Sequence, residues 1–194
     1  MIRLIALIMG LTISLITLTP SAKADNWQII APESSLSFTA TQAGSPFTGH
    51  FKQFDAAVTF DPASPEAAHI HAEIDLTSAR TGADDRDAAL MTPTWFNSEA
   101  FPKAVYEASG FTPVGDGRFE TQGTLTLKGI SQPLTLQFTL EITDDMAHVT
   151  GVAKIVRTNF NVGSGDFESG KWISKAVEVQ LMLTAEKVPA GDAP

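Results

Sequence analysis

Strict alternation of apolar and polar residues, sustained over long stretches, restricts this chain more than any other feature of its sequence. From Ala68 to Leu76, Ala68, Ile70, Ala72, Ile74 and Leu76 hold one phase and His69, His71, Glu73 and Asp75 the other, nine positions of nine. From Leu134 to Thr143 the apolar phase is Leu134, Leu136, Phe138, Leu140 and Ile142, again without exception. Val177 to Thr184 repeats the pattern with one slip, Met182. Between Phe119 and Lys128 the outer phase is fully polar, while the inner one mixes Phe119, Leu125 and Leu127 with Thr121 and Gly123. A period of two sends successive side chains to opposite faces of a strand, whereas a helix needs a period near 3.6. These stretches are therefore expected to be half-buried antiparallel strands. An inner glycine on a long strand is expected to leave room for a cavity or a bend.

Eight strands follow: Leu36 to Thr41, Gly49 to Phe60, Ala68 to Leu76, Ala104 to Phe111, Arg118 to Leu127, Pro133 to Ile142, Ala147 to Val156 and Trp172 to Ala185. Asp116-Gly117, Lys128-Gly129 and Asp144-Asp145 sit between them as tight-turn pairs, so sequence neighbours should be antiparallel neighbours in a meander. Only Asp84 to Ala100 breaks the period. Asp84, Asp85 and Asp87 suit a helix N-terminus, Ala88 to Met91 are helix formers and Pro93 interrupts, which predicts one or two short helices. The fold is all-β, and periodicity alone leaves a barrel and a sandwich both open. Strand length favours the barrel. Strands of nine to twelve residues span roughly 30 to 40 Å at ~3.3 Å per residue, which suits the ~40° tilt of an extended eight-stranded antiparallel barrel. Such a barrel can enclose one ligand.

Charge and cysteine content narrow the function. The chain of 194 residues carries 13 Lys and Arg against 22 Asp and Glu, a formal net charge of -9, which disfavours nucleic acid and anionic membrane surfaces. The absence of Cys removes thiol catalysis, Cys-ligated zinc and iron–sulfur clusters. Residues 1–24 read as a signal peptide: Arg3 starts it, Leu4 to Leu18 is apolar apart from Gly, Ser and Thr, and Ala22-Lys23-Ala24 is a small-x-small cleavage pattern. A membrane anchor is the competing reading, but the apolar run falls short of the ~20 residues a spanning helix requires. Residues 25–194 are thus expected to form one exported domain, made still more acidic by the loss of Arg3 and Lys23.

Several runs carry a family resemblance. WQIIAPESSLSF (Trp27 to Phe38), GHFKQFDAAVTFDP (Gly49 to Pro62), TGADDRDAAL with TWFNSEAFPKAVYEA (Thr81 to Ala108), GTLTLKGISQPLTL (Gly123 to Leu136) and RTNFNVGSG (Arg157 to Gly165) resemble, in order and spacing, the YceI-like family. The resemblance spans nearly everything beyond the signal segment. It implies a periplasmic, lipocalin-like barrel whose interior holds a polyisoprenoid, an isoprenoid quinone or a similar long-chain amphiphile. It also implies association, in many members, with cytochrome b-type membrane proteins. No cofactor is expected beyond the bound lipid. Ala88-Ala89 stand where many members have His soon after the Arg-Asp pair, and Asn161 follows Phe160 where many have Gly.

The candidate interior agrees with that implication. Ile70, Ile74, Phe119, Leu125, Leu136, Phe138, Val177 and Val179 lie on inner phases, with Phe38 and Phe60 in addition, and none of them titrates. Such a lining suits a hydrocarbon chain, and the competing reading is that these residues simply fill the barrel. Trp95, Phe96 and Phe101 could cap one end or serve as ordinary core. Arg86 and Arg157 are the cationic candidates for a ligand head group. Each could instead fix a loop, Arg86 by pairing with Asp87. His69 and His71 share a face with Glu73, yet a metal site needs further ligands from a neighbouring strand, so a solvated outer face is expected and no metal. The glycines from Gly163 to Gly170 lack the Lys-Ser/Thr pair of a phosphate cradle. Two classes remain: a lipid-binding carrier, and an enzyme acting on a lipid or small ester in the same cavity. The second lacks a Gly-x-Ser-x-Gly elbow, a Cys and an inward His, so a non-enzymatic carrier is expected.

Overall fold

A computed structural model, describing residues 24–188, carries the alternation into twelve strands of a single sheet. In chain order these are β1 (Asp25–Ile29), β2 (Ser35–Gln42), β3 (Ser45–Phe51), β4 (Phe54–Phe60), β5 (His69–Asp75), β6 (Ala79–Arg80), β7 (Lys103–Ser109), β8 (Thr112–Gly115), β9 (Arg118–Leu127), β10 (Ile130–Thr143), β11 (Met146–Val156) and β12 (Ala176–Val188). The helix α1 (Asp84–Met91) lies between β6 and β7. The expected signal segment, up to Lys23, lies outside the described residues.

Eight strands, β1, β4, β5, β7, β9, β10, β11 and β12, follow one another around the wall, every pairing antiparallel. β12 returns to β1 through Ile29↔Ala185 and Asn26↔Val188, which closes the barrel. The same edge of β12 also carries β2 nearer its start, at Glu178 to Met182, and β3 and β6 extend the wall from there. Of the expected turn pairs, Asp116-Gly117 and Lys128-Gly129 have positive φ at both positions, the conformation that matches the twist of the strands they join.

Three expectations need correction. Asp25–Ile29 lies outside the eight expected strands, since DNWQI carries no sustained alternation, yet it forms β1 and closes the barrel. Gly49 to Phe60 is not one strand. It breaks at Lys52-Gln53, where Ser78 takes up the freed backbone: its carbonyl accepts from Lys52 N and its Oγ accepts from Gln53 N at 3.1 Å. Ser34 does the same between β1 and β2, accepting from Thr184 N and donating to the Ile30 carbonyl. Trp172 to Lys175 lies outside β12 and joins β2 through the isolated bridge Gln42↔Ile173 and a hydrogen bond from Thr41 N to Ser174 Oγ.

The expected helical insertion supplies one α-helix, with Asp84, Asp85 and Asp87 in its first turn. Asp87 anchors it by accepting from both the backbone N and Oγ1 of Thr81, and that hydroxyl contact holds the carboxyl below its usual range. The insertion brings Leu90, Trp95 and Phe96 against one end of the barrel core. A second cluster built on Trp27, Phe60, Phe111 and Phe138 fills the opposite end.

Candidate functional site

Between these two ends the inward phases leave open space. A chamber of about 200 Å³ adjoins the helical insertion, lined by Phe38, Ile74, Leu125 and Val177 with Trp95 and Phe96 at its end. A second, of about 130 Å³, lies toward the far end against Ile70, Phe60 and Phe138. Leu136 borders both, as do Ile29, Ala56, Ala72, Tyr106, Leu181 and Leu183, so the two chambers meet at one level of the barrel. Together they fall at the low end of the ~300–1,000 Å³ usual for small-molecule sites. The lining is aliphatic and aromatic apart from Tyr106 and, at the larger chamber, Asp55 and Arg157, so dispersion contacts and apolar burial dominate it.

Among the lining residues that sequence reasoning missed, Leu181 and Leu183 included, Tyr106 is the titratable one that borders both chambers, and the alternation Ala104, Tyr106, Ala108 in β7 points to it. The interior therefore does hold a titratable side chain. Burial pushes its phenol up to about 12, and the hydroxyl donates to the Leu134 carbonyl at 3.3 Å. The expectation that Gly123 leaves a void is also corrected: a Cβ on Gly123 would stand 2.7 Å from Cε2 and Cζ of Tyr106, so the phenol ring occupies that place. Thr121, the polar member of the inner phase of β9, is satisfied by donating to the Gly110 carbonyl at 2.7 Å.

Two of the aromatic candidates serve elsewhere. Phe119 borders neither chamber. Its ring stacks on Phe138 at 5.6 Å and meets Phe60 at 6.0 Å and Phe111 at 6.3 Å, which makes it part of an aromatic plug in the far end. Phe101 is not a cap: it is 36% exposed and covers Gly129 in the β9–β10 turn.

Neither arginine is a free head-group ligand. Arg157 is 3% exposed and donates from all three nitrogens to backbone carbonyls: Nε to Ser174, Nη1 to Val162 and Gly163, Nη2 to Phe167 and Ile173. A guanidinium has five N–H donors, and five carbonyls take them. Burial lowers its pKa, but the group stays charged, its positive charge resting on carbonyl dipoles and the Trp95 face. Arg86 lies outside both linings, 4.5 Å over the Phe47 ring, and donates to Gln42 Oε1 and Thr81 Oγ1. It shares Thr81 with Asp87 rather than pairing with it directly. Lys128 adds a second clamp on the same end, its Nζ donating to the Pro93 and Asn161 carbonyls at 2.6 and 2.7 Å. Asn161 itself has φ 53, a left-handed conformation that Asn tolerates.

His69 and His71 face outward. His71 Nδ1 lies 3.4 Å from Glu107 and its Nε2 3.7 Å from Glu73, with the imidazole about half exposed. His69 Nδ1 lies 3.0 Å from Ser109 Oγ, also on the exposed wall, so this Ser–His contact does not reach the interior.

The YceI-like domain pattern matches residues 27–185, the whole barrel from Trp27 in β1 to Ala185 in β12. The chain belongs to the YceI-like family. A UPF0312 protein of Yersinia pestis is 32% identical to it over 143 residues, 72% of each chain, and Protein YceI of Escherichia coli is 34% identical over 89 residues, 46% of each. Among solved structures, BcnA of Burkholderia cenocepacia matches this YceI-like barrel with a TM-score of 0.77 at 28% identity, over 80% of this chain and 98% of BcnA. A polyisoprenoid binding domain from Saccharophagus degradans, implicated in plant cell wall breakdown, matches with a TM-score of 0.66 over 86% of this chain and 100% of that domain. At 18% identity that likeness shows the fold alone.

Proposed function

We propose that this YceI-like domain is a periplasmic binding or carrier protein, not an enzyme, that holds the hydrocarbon tail of a polyisoprenoid such as an isoprenoid quinone along the barrel axis. The observation that carries the reading is the pair of adjoining apolar chambers between the insertion and the aromatic plug. The polyisoprenoid binding described for the Saccharophagus degradans domain of the same fold supports it. Each buried CH₂ contributes up to ~0.8 kcal/mol, so a long chain offsets the cost of association by hydrocarbon burial alone. Because carbonyls saturate Arg157 and Arg86 stands outside the lining, a neutral head group fits better than a strongly anionic one. Arg3, the apolar run and Ala22-Lys23-Ala24 support export.

One preparation tests all of this. The protein is purified from its native host, its intact mass taken, and an organic extract examined by mass spectrometry. The expected result is a chain starting at Asp25 in the periplasmic fraction, with a prenyl lipid released in proportion to protein. An empty extract, with the pure chain failing to take up added prenyl lipid, defeats the carrier reading; a full-length chain in the cytoplasm or inner membrane defeats export.

A further inference from the structure

We infer that Tyr106 is a gate at the waist of the cavity, and that its ring, flat against Gly123 or turned into the bore, decides whether a bound chain fills one chamber or both. This rests on the carrier reading and adds to it the residue that selects ligand length.

The first observation is position. Tyr106 is one of the side chains that border both chambers, and it is the bulkiest of them; its small cross-strand neighbours Ala72 and Ala56 stand beside it on the same wall, and Leu181 and Leu183 of β12 border both chambers on the opposite wall. The second is the slot in which it lies. Every side chain larger than hydrogen at position 123 would collide with the Glu107 carbonyl oxygen of β7, and with the ring, two of whose atoms would stand 2.7 Å from a Cβ. The missing side chain thus lets an inward tyrosine lie along the wall of β9 instead of across the bore. The third is the tether. The ring extends from β7 past β9, and its hydroxyl ends on the Leu134 carbonyl of β10 at 3.3 Å, beyond the usual length of a good O–H···O bond. A single long hydrogen bond is worth little net free energy, so a ligand can displace it. Nothing else polar is shared by the two chambers, so this contact alone distinguishes the waist chemically from the rest of the lining.

The test uses the full mature chain, stripped of lipid, and compares farnesol, a short prenol, with solanesol, a long one, each presented in the same micelles. Wild type is expected to bind both, solanesol more tightly. In Tyr106→Trp the wider ring system no longer fits the Gly123 slot and turns into the bore. Solanesol affinity should fall by about tenfold or more while farnesol stays within about twofold, because only the long chain loses a chamber of apolar contacts. In Tyr106→Leu, which keeps the core aliphatic should the tryptophan variant fail to fold, solanesol should bind at least as tightly as in wild type. Equal weakening of both prenols, or selective loss of solanesol in Tyr106→Leu, makes Tyr106 ordinary packing and overturns the gate. Wild type that binds both prenols, with their ratio unchanged in the variants, removes the gate and leaves the carrier. Wild type that binds neither removes both.

Discussion

The Arg157 guanidinium lies 5.3 Å from the centre of the Trp95 ring while its five N–H groups are taken by backbone carbonyls of the loop from Val162 to Ser174. One side chain thereby ties the segment after β11 to the insertion that ends the larger chamber. Arg157→Met leaves those carbonyls buried without donors, and Arg157→Lys supplies three donors for five acceptors. Three of the five bonds, to Val162, Gly163 and Ile173, are buried, and a buried polar group left unpaired costs at least ~1 kcal/mol, so urea unfolding is expected to show a loss of about 3 kcal/mol or more for Met and a smaller one for Lys. A change under about 0.5 kcal/mol for Met would place Arg157 outside the stabilising framework.

Tyr106 is the chain's one tyrosine, so a phenolate titration at 295 nm reads it without interference from another phenol. The folded protein is expected to titrate near 12 and the denatured protein near 10. The folded pKa is the higher of the two. Its contribution to stability is therefore complete below about pH 10 and is lost as pH rises from there through 12, because the unfolded state releases its proton first. A folded midpoint near 10 would mean that the phenol is in water.

Ile74 and Glu73 are adjacent in β5 and point to opposite faces, one into the larger chamber and one onto Lys103. Ile74→Asp places a carboxylate in the apolar lining and should abolish ligand retention. Glu73→Gln should leave retention intact. The Lys103 ammonium holds the Glu73 carboxyl below its ordinary value, so this pair stabilises above about pH 4.5 and loses its contribution as pH falls. The small stability difference between Glu73→Gln and wild type should accordingly vanish in acid, as pH-dependent melting curves will show.

Phe138 stacks on Phe119 and stands edge-on to Phe111, so Phe138→Asp is expected to unfold the far end rather than report on ligand binding. The cleaner probe is Phe119→Ala. Truncating a buried Phe costs ~3–5 kcal/mol; with Phe119 only partly buried, the lower end of that range is expected in denaturant unfolding. The void left beside the smaller chamber should take up xenon in a crystal.

Replacing His69 and His71 together by Gln removes two exposed imidazoles from the outer wall. Thermal and denaturant unfolding should change by no more than about 0.5 kcal/mol. A stoichiometric transition metal found in wild type and absent from the double variant would give the pair a role that the outward geometry does not support.

Alternation over Ala68 to Leu76, Leu134 to Thr143 and Val177 to Thr184 was enough to make the chain all-β and to sort inner from outer residues, because a strand's period of two is a local property of the backbone. The same locality made the hairpin turns and the acidic start of α1 legible. Closure was not local. β1 is held by β4 and by β12, which lies more than a hundred positions away, and its five residues carry no pattern of their own. Nor could alternation show that Gly123 houses the Tyr106 ring instead of a void, since the contact joins residues on neighbouring strands whose register only the folded barrel sets. The arginines make the same point about charge. Sequence shows a cation at Arg157 and at Arg86, but whether a cation meets a ligand or a ring of carbonyls depends on how the loops close around it. Loop closure answers to packing and hydrogen-bond satisfaction across the whole chain, and no stretch of sequence contains that information.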